Sequence, residues 1–307
     1  MEGRNSPFSS VCHLENIQPE TGNLPGVESE MAHSDLADQA VRLASLHTPG
    51  NPLVLTNVWD AATAKLAAAH PSCTAIATAS YAVAASTGIE DDDLTLEQNL
   101  AAVEGIAAVA REYGKPLTVD MQSGYGDRLE EAVRKLLEKG VVGCNLEDKD
   151  TVTRQMYPVD EAAGRIKRTR AIAEELGVPK FVINARTDIL VTGGTVSEAI
   201  QRGRAYLDAG ATTVFVWGGS KRGGMTSAEV GRITQALGGR ISVKLCLGAQ
   251  YLTGRELAEI GVARISCGPE LWWKAMKTFE QEMNGILVEV GQEPTRSKAK
   301  SMLVGET

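Results

Sequence analysis

Short runs of β-branched and apolar residues alternate with helical segments along most of this chain, and no other sequence feature limits the fold as strongly. Such alternation is typical of βαβ units that build a parallel sheet. Eight units can be counted from Asn51 onward. Eight right-handed units close into a barrel of about 250 residues, and a chain of 307 residues is long enough for one. The predicted fold class is therefore α/β, a (β/α)₈ TIM barrel.

The boundaries follow from turn residues and helix signals. The predicted strands are Leu53–Asn57, Thr74–Ala79, Pro116–Asp120, Val141–Glu147, Lys180–Ala185, Thr212–Trp217, Ile241–Cys246 and Ala263–Ser266. The predicted helices are Ala61–Ala69, Thr95–Tyr113, Arg128–Lys139, Asp160–Leu176, Thr195–Ala209, Ser227–Leu237, Thr253–Ile260 and Pro269–Gly285. A doubly wound open sheet is the alternative, but no Gly-x-Gly-x-x-Gly follows the first strand.

The two ends of the chain differ in composition from the barrel region. Residues 1–33 are rich in Ser, Pro, Gly, Asn and Glu without apolar periodicity, which predicts a flexible N-terminal arm. Ser34 is predicted to cap a first helix that covers the bottom of the barrel, so the barrel domain spans residues 34–290. Residues 291–307 are predicted to be a polar C-terminal tail.

Charge and cysteine content limit the partners and the cellular compartment that can be expected. A net charge of -8 gives no basic surface for nucleic acid, so we expect no nucleic-acid partner. The five cysteines lie far apart without a Cys-x-x-Cys pair, which is typical of a reducing compartment. No apolar run reaches membrane-span length, and the N-terminus lacks a secretory pattern. We therefore expect a cytoplasmic protein with no membrane partner.

Polar residues gather where the predicted strands end, and in a barrel the active site lies at those ends. They are Trp59 and Asp60 after the first strand, Ser80 and Tyr81, Asp120 and Gln122, Asn145, Glu147 and Lys149, and Arg186 and Asp188. Carboxylates that converge on one mouth repel unless a cation lies among them. Mg²⁺, with Mn²⁺ as the alternative, suits such a site because it needs few direct carboxylates. Each carboxylate could instead cap the next helix.

In order and at these spacings, the motifs resemble the isocitrate lyase/phosphoenolpyruvate mutase superfamily from about Asn51 to Gly285. The matching segments are Asn57-Val-Trp-Asp60-Ala, Thr78-Ala-Ser80 leading to Gly88-Ile-Glu-Asp91, Asp120 with Gly124-Tyr-Gly126, Asn145-Leu-Glu147-Asp148 and Asn184-Ala-Arg186-Thr-Asp188. The resemblance implies a Mg²⁺-dependent lyase or hydrolase that cleaves a carbon–carbon bond of a small 2-oxo or 2-hydroxy carboxylate through an enolate. Phosphonate chemistry on a phosphonopyruvate-like substrate is the alternative. A barrel that has lost catalysis and serves a binding role is the third hypothesis.

The resemblance also implies residue roles. Asp120 resembles the direct metal ligand, and Asp91 and Glu147 resemble the carboxylates that hold water molecules around the metal. Arg186 resembles the arginine that contacts substrate, and Ser80 with the amides after it resembles the pocket for the 2-oxo carboxylate. The predicted substrate pocket is completed by Trp59, Asp60, Tyr81, Asn145, Asp188 and Trp217.

Two departures from the family pattern bear on the chemistry. Gln122 stands where many members carry a second Asp, so one metal-side charge is lost. The loop Asp148–Pro158 has neither the Cys nor the His of the family's lyases, whose Cys is a catalytic acid. Tyr157, Lys149 and Arg154 on this loop are the candidate replacements, with simple packing as the alternative for Tyr157. A conventional isocitrate or methylisocitrate lyase mechanism is therefore disfavoured.

Three further features leave alternatives open. The glycine-rich segment Trp217–Gly224 could bind a phosphate or phosphonate, although glycine content alone is weak evidence. Lys244 inside a strand could form a Schiff base or pair with a carboxylate. Trp272 and Trp273 on an apolar last helix favour a subunit interface, and the resemblance implies dimers or tetramers with that helix exchanged between subunits.

Overall fold

A computed structural model describes residues 25–289. The predicted C-terminal tail and the first part of the predicted arm lie outside these residues. Helix α1 spans Pro25–Ser45, so it begins ahead of the predicted cap at Ser34. Proline fits the first turn of a helix, where its missing N–H is not needed, which accounts for the earlier start.

Eight parallel strands form one sheet in the described residues. They are β1 (Leu53–Leu55), β2 (Ile76–Ala77), β3 (Leu117–Asp120), β4 (Val141–Glu147), β5 (Val182–Thr187), β6 (Thr213–Val216), β7 (Ile241–Lys244) and β8 (Arg264–Ser266). Each strand pairs with the next along the chain from β2 to β8, and β8 pairs with β1. Between β1 and β2 a single bridge joins Val58 to Thr78, and the Val58 amide donates to Ala77 at 2.8 Å. The predicted (β/α)₈ barrel is confirmed.

The helices surround this sheet. After α1 they are α2 (Ala61–Ala69), α3 (Ser80–Ser86), α4 (Leu96–Glu112), α5 (Leu129–Glu138), α6 (Val159–Glu175), α7 (Val196–Asp208), α8 (Ser227–Ala236), α9 (Gly254–Ile260) and α10 (Glu270–Glu289). Five of them begin at a capping box, in which an Asp or Thr side chain and the residue three positions on exchange hydrogen bonds. Helix α3 is absent from the sequence-based prediction, because its seven residues are too few to show helical periodicity.

Helix α1 packs against β4 and β5, at the end of the barrel opposite the mouth. Leu43 on α1 is fully buried, and a Cβ on Gly143 would lie 2.9 Å from its Cδ2 atom. Only glycine at 143 allows this close approach, which supports the predicted cover of the barrel bottom.

The barrel interior is polar rather than purely aliphatic. Asn184 donates to Asn145 Oδ1 at 2.9 Å and accepts from the Thr213 hydroxyl at 2.7 Å. Arg264 on β8 crosses the interior and donates to the same Asn145 oxygen at 3.1 Å.

Helices long and apolar enough to cross a membrane are not found in the described part of the chain.

Candidate active site

Asp120 ends β3, and its carboxylate is held by backbone amides. Ser80 N donates to one carboxylate oxygen at 3.2 Å, and Gln122 N donates to the other at 3.3 Å. The Asp120 amide donates to the Thr78 hydroxyl at 2.9 Å, and Asn99 donates to the Asp120 carbonyl at 2.9 Å. The two backbone amides therefore fix the Asp120 carboxylate in one direction at the mouth.

Gln122 connects Asp120 to the next carboxylate. Its backbone lies in the left-handed region at a φ of 51°, which turns the chain sharply after β3. Its side-chain amide donates to Asp91 Oδ1 at 3.1 Å and also to the Asp91 carbonyl. Burial and the nearby Asp120 carboxylate raise the pKa of Asp91 to about 6. The predicted metal-side residues Asp91, Asp120 and Gln122 are thus neighbours.

Glu147 and Asp188 flank Arg186. The guanidinium donates to both oxygens of Asp188, at 2.7 and 2.9 Å, and its Nη1 donates to Glu147 at 2.7 Å. Burial raises the pKa of Glu147 well above its usual range, with Asp188 and Asp120 adding to the rise and Arg186 opposing it. The two carboxylates hold the pKa of Arg186 above its ordinary value in spite of burial. Arg186 therefore keeps its positive charge, and the two carboxylates beside it offset that charge.

Aromatic rings form a wall beside these charges. The guanidinium carbon of Arg186 lies 4.9 Å from the Trp217 ring centre and 5.6 Å from that of Phe215. Tyr81 meets Trp272 and Trp273 edge to face, with ring centres 5.9 and 5.4 Å apart. Trp59 packs against the same cluster. Rings around charges keep water out and strengthen the electrostatic interactions among them.

Other predicted residues lie elsewhere. Asp60 is exposed and caps α2 by accepting from Thr63 N at 2.7 Å, the capping role that the sequence left open. Asn145 is buried inside the barrel against Asn184 and Arg264. The structure thus brings together the metal-side carboxylates, Arg186, Asp188 and Trp217. Asp60 and Asn145 make their hydrogen bonds outside this group, and their place in the substrate pocket stays a prediction.

The loop after Glu147 is a hairpin closed by a bridge between Lys149 and Met156. The Tyr157 hydroxyl donates to Asp150 at 2.5 Å, and Arg165 stacks on the Tyr157 ring at 4.7 Å. Burial and the Asp150 carboxylate raise the pKa of Tyr157 to about 12. Arg154 pairs with Asp92, which ties this loop to the segment that carries Asp91.

The sequence analysis gave no role to two residues at or below the mouth, Asp148 and Arg264. Asp148 accepts from Asp188 N at 2.9 Å, from Tyr206 at 2.6 Å and from Arg202 at 3.1 Å, and so fixes the segment that carries Arg186. Arg264 is 1% exposed, and burial lowers its pKa to about 10 although Asp120 opposes the change. No motif marks Arg264, but a charged residue in an otherwise apolar predicted strand is a signal that could have found it.

The carboxylates at the mouth have the chemistry of a divalent-ion site. Asp91, Asp120 and Glu147 offer only oxygen donors. Asp120 raises the pKa of both Asp91 and Glu147, and Asp91 also raises that of Glu147, a repulsion that a cation relieves. Across residues 25–289 there is no group of three or more His, Cys, Asp or Glu side chains placed to hold an ion together. The oxygen donors of the three carboxylates suit Mg²⁺ with one direct carboxylate, because this ion keeps several of its waters.

Comparison with known proteins gives consistent results. The family model described as phosphoenolpyruvate phosphomutase matches residues 43–287. The crystal structure of a Burkholderia cenocepacia J2315 protein, named as a candidate phosphonomutase, is 35% identical with a TM-score of 0.73, and covers 84% of this chain and 100% of that one. A protein of Mycobacterium tuberculosis H37Rv without an assigned function is 30% identical over 226 residues, 73% of this chain and 80% of that protein. The 2,3-dimethylmalate lyase of Eubacterium barkeri is 30% identical over 179 residues, 55% of this chain and 58% of the lyase.

Proposed function

The chain belongs to the isocitrate lyase/phosphoenolpyruvate mutase superfamily, and we propose that it is a Mg²⁺-dependent lyase or hydrolase that cleaves a carbon–carbon bond of a small 2-oxo or 2-hydroxy carboxylate. The observation that carries this proposal is the convergence of Asp91, Asp120 and Glu147 beside Arg186 at the barrel mouth. Cleavage near C2 requires negative charge on the 2-oxygen, as an enolate from a 2-oxo acid or as an alkoxide of a 2-hydroxy acid. A site rich in carboxylates can accept that charge only with a cation present.

Asp120 is the proposed direct ligand, because two backbone amides already fix its carboxylate. Asp91, Glu147 and the Gln122 side chain would act around it through water. When bound, Mg²⁺ would neutralise the charge that develops on the substrate's 2-oxygen. The backbone amides after Ser80 would orient the substrate carboxylate, since the bond from Ser80 N to Asp120 places this segment beside the proposed metal ligand.

Arg186 is the proposed positioning cation of the site. Its bidentate bond to Asp188 and its bond to Glu147 hold both carboxylates in place, and stacking on Trp217 fixes its plane. We propose that its remaining N–H donors face the substrate.

A proton donor must complete the reaction, and we propose Tyr157, with Lys149 as the second candidate. The Tyr157 phenol stays protonated over the physiological range, since its pKa is raised to about 12. The Arg154–Asp92 pair would keep this loop beside the segment that holds Asp91.

Phosphonate chemistry is the second candidate function, because the matching family model is named for phosphoenolpyruvate phosphomutase. A release assay separates the candidates. The protein with Mg²⁺ is incubated with a panel of 2-oxo diacids, 2-hydroxy diacids and phosphonates, and pyruvate, oxalate, glyoxylate and phosphate are measured. Release of an organic acid from a diacid supports the first proposal, whereas release of phosphate or isomerisation of a phosphonate supports the second. No turnover of any compound would favour a binding role.

We further propose a homo-oligomer, a dimer or tetramer, in a reducing, cytoplasmic setting. The support for the oligomer is the exposed apolar surface of α10, where Phe279 is 65% and Ile286 62% exposed. The support for the setting is that Cys73, Cys144, Cys246 and Cys267 are all free.

A further inference from the structure

Lys244 ends β7, and the strand register indicates the direction of its side chain. Ser242 pairs with Phe215 on β6, and Phe215 pairs with Arg186 on β5. Because side chains alternate along a strand, Lys244 points to the same side as Ser242 and one step nearer the mouth. Its contacts agree, since the Lys244 ammonium lies 5.8 Å from the Trp217 ring centre and 5.1 Å from that of Trp273. Lys244 therefore projects into the mouth beside the aromatic wall.

Two carboxylates already offset the positive charge of Arg186, which disfavours binding of a second acidic group of a substrate there. Three of its nitrogens already donate, two to Asp188 and one to Glu147. Lys244 is different, because within 4 Å of its ammonium the described residues place one carboxylate, that of Glu270 at 3.0 Å. An ammonium has three N–H donors, so Lys244 keeps donors for another partner.

The position of Lys244 suits recognition of an anion. Its side chain is 13% exposed and that of Glu270 is 17% exposed, so the pair is largely removed from water. Charge-assisted hydrogen bonds are stronger in such surroundings than at an open surface. The Trp217 ring contacts both cations, with the Arg186 guanidinium carbon 4.9 Å and the Lys244 ammonium 5.8 Å from its centre. A small molecule that lies along this ring would reach from the carboxylate cluster to Lys244.

We propose that Lys244 is the specificity-determining residue for the second acidic group of the substrate, a carboxylate or a phosphonate, and that this group replaces Glu270 as its partner. The proposal rests on the function proposed above and names the substrate class, a molecule with an acidic group at each end. In the free enzyme Glu270 neutralises Lys244. In the complex the substrate's distal anion takes over the Lys244 ammonium.

The two members of this ion pair then act in opposite directions on binding. Lys244→Met removes the cation that binds the distal group, so a diacid should bind about 10- to 100-fold more weakly. Glu270→Gln removes the competing carboxylate and should tighten binding of the same diacid. If the ion pair served only to stabilise the fold, both substitutions would change binding in the same direction, or not at all.

The test is titration calorimetry on the full chain with Mg²⁺ and three probes: oxalate, 3,3-difluorooxaloacetate and 3-phosphonopyruvate. Oxalate is too short to reach beyond the carboxylate cluster and reports on that cluster alone. The two longer probes carry a distal carboxylate or a distal phosphonate. The probe that loses more affinity in Lys244→Met identifies which acidic group Lys244 binds. Lys65→Met, at an exposed lysine paired with Glu112, is the matched control.

Lys244→Met should weaken the binding of one or both longer probes, while the affinity for oxalate stays within about twofold. Glu270→Gln should strengthen binding of the same probe, and Lys244→Arg should recover part of the lost affinity. Equal weakening of oxalate and the longer probes, or unchanged binding of all three, would overturn the role of Lys244 and leave the proposed function standing. If oxalate does not bind the wild-type protein with Mg²⁺, the proposed function fails and the Lys244 proposal fails with it.

Discussion

The side-chain amide of Gln122 donates a hydrogen bond to Asp91 Oδ1 over 3.1 Å. The resemblance to the superfamily places a second Asp at this position in many members. Gln122 therefore exchanges a carboxylate for a neutral donor that satisfies Asp91 in the absence of metal. With Gln122 in place of a carboxylate, the side chains around Asp91 repel one another less, and they should also attract a divalent cation less strongly.

Gln122→Asp should tighten Mg²⁺ binding by about tenfold, because the substitution adds one negative charge beside Asp91 and Asp120. Titration calorimetry with MgCl₂ measures the change. Gln122→Asn is the control, since it shortens the side chain without adding charge and should weaken binding or leave it unchanged. Equal or weaker Mg²⁺ affinity in Gln122→Asp would show that Gln122 does not limit the metal site.

Tyr157→Phe should lower kcat by about 10²–10⁴-fold on the substrate found by the release assay, while Mg²⁺ affinity stays nearly constant. The phenylalanine ring keeps the stacking with Arg165, so the change isolates the hydroxyl. Deuterium incorporation into the product from heavy water reports whether protonation itself is slowed. Wild-type turnover in this variant would instead assign the acid to Lys149, Arg154 or solvent.

His47 should make the fold sensitive to acid. Burial, with a smaller contribution from the Arg264 cation, lowers its pKa from 6.5 to about 3. Between these values the unfolded histidine binds a proton that the folded one does not. The stability that comes from this difference is complete above pH 6.5 and is lost as the pH falls toward about 3.

His47→Gln should therefore flatten the decline of melting temperature between about pH 6.5 and pH 4. His70→Gln, at an exposed histidine, is the control and should leave the slope as in the wild type. Thermal melts followed by circular dichroism over this range give both slopes. If His47→Gln keeps the wild-type slope, other groups carry the acid sensitivity.

Helix α10 should bind another copy of the chain. Phe279, Ile286 and Val288 are 65, 62 and 59% exposed on this one helix. Light scattering at micromolar concentration should give a multiple of 32.6 kDa, and Phe279→Glu should shift the mass toward one chain. Leu66→Glu, at a single exposed leucine on α2, should leave the mass unchanged. A mass of one chain in the wild type would contradict the proposed oligomer.

The sequence predicted the barrel well because alternating strands and helices are a local signal. Strand β4 was predicted with the same limits as observed, Val141–Glu147. Helix α3 was missed because a single short helix has no distinct period, and the true start of α1 because Ser34 looked like a cap. Side-chain partners were harder to predict. The pairing of Arg186 with both Asp188 and Glu147 depends on the register of β4 and β5.

Contacts between distant segments also explain why Arg264 was missed. Asp60 makes the capping contact with Thr63 that the sequence analysis gave as an alternative, and its place in the substrate pocket stays a prediction. Arg264 lies beside Asn145, which is far from it in sequence, so no local pattern could reveal the contact. Residue types at strand ends thus locate the mouth of the barrel, whereas roles within it depend on contacts between distant segments.

Asp120 is proposed to hold Mg²⁺, which would supply the positive charge that a 2-oxo carboxylate needs when it becomes an enolate. Oxalate has the planar shape and charge of such an enolate and serves as the probe. Titration calorimetry of oxalate, with and without Mg²⁺, on the wild-type protein and on Asp120→Asn measures whether this residue holds the metal. Oxalate should bind the wild type only with Mg²⁺ present, and Asp120→Asn should lose this binding while keeping its fold by circular dichroism. Oxalate binding of equal strength without Mg²⁺, or in Asp120→Asn, would contradict this role of Asp120.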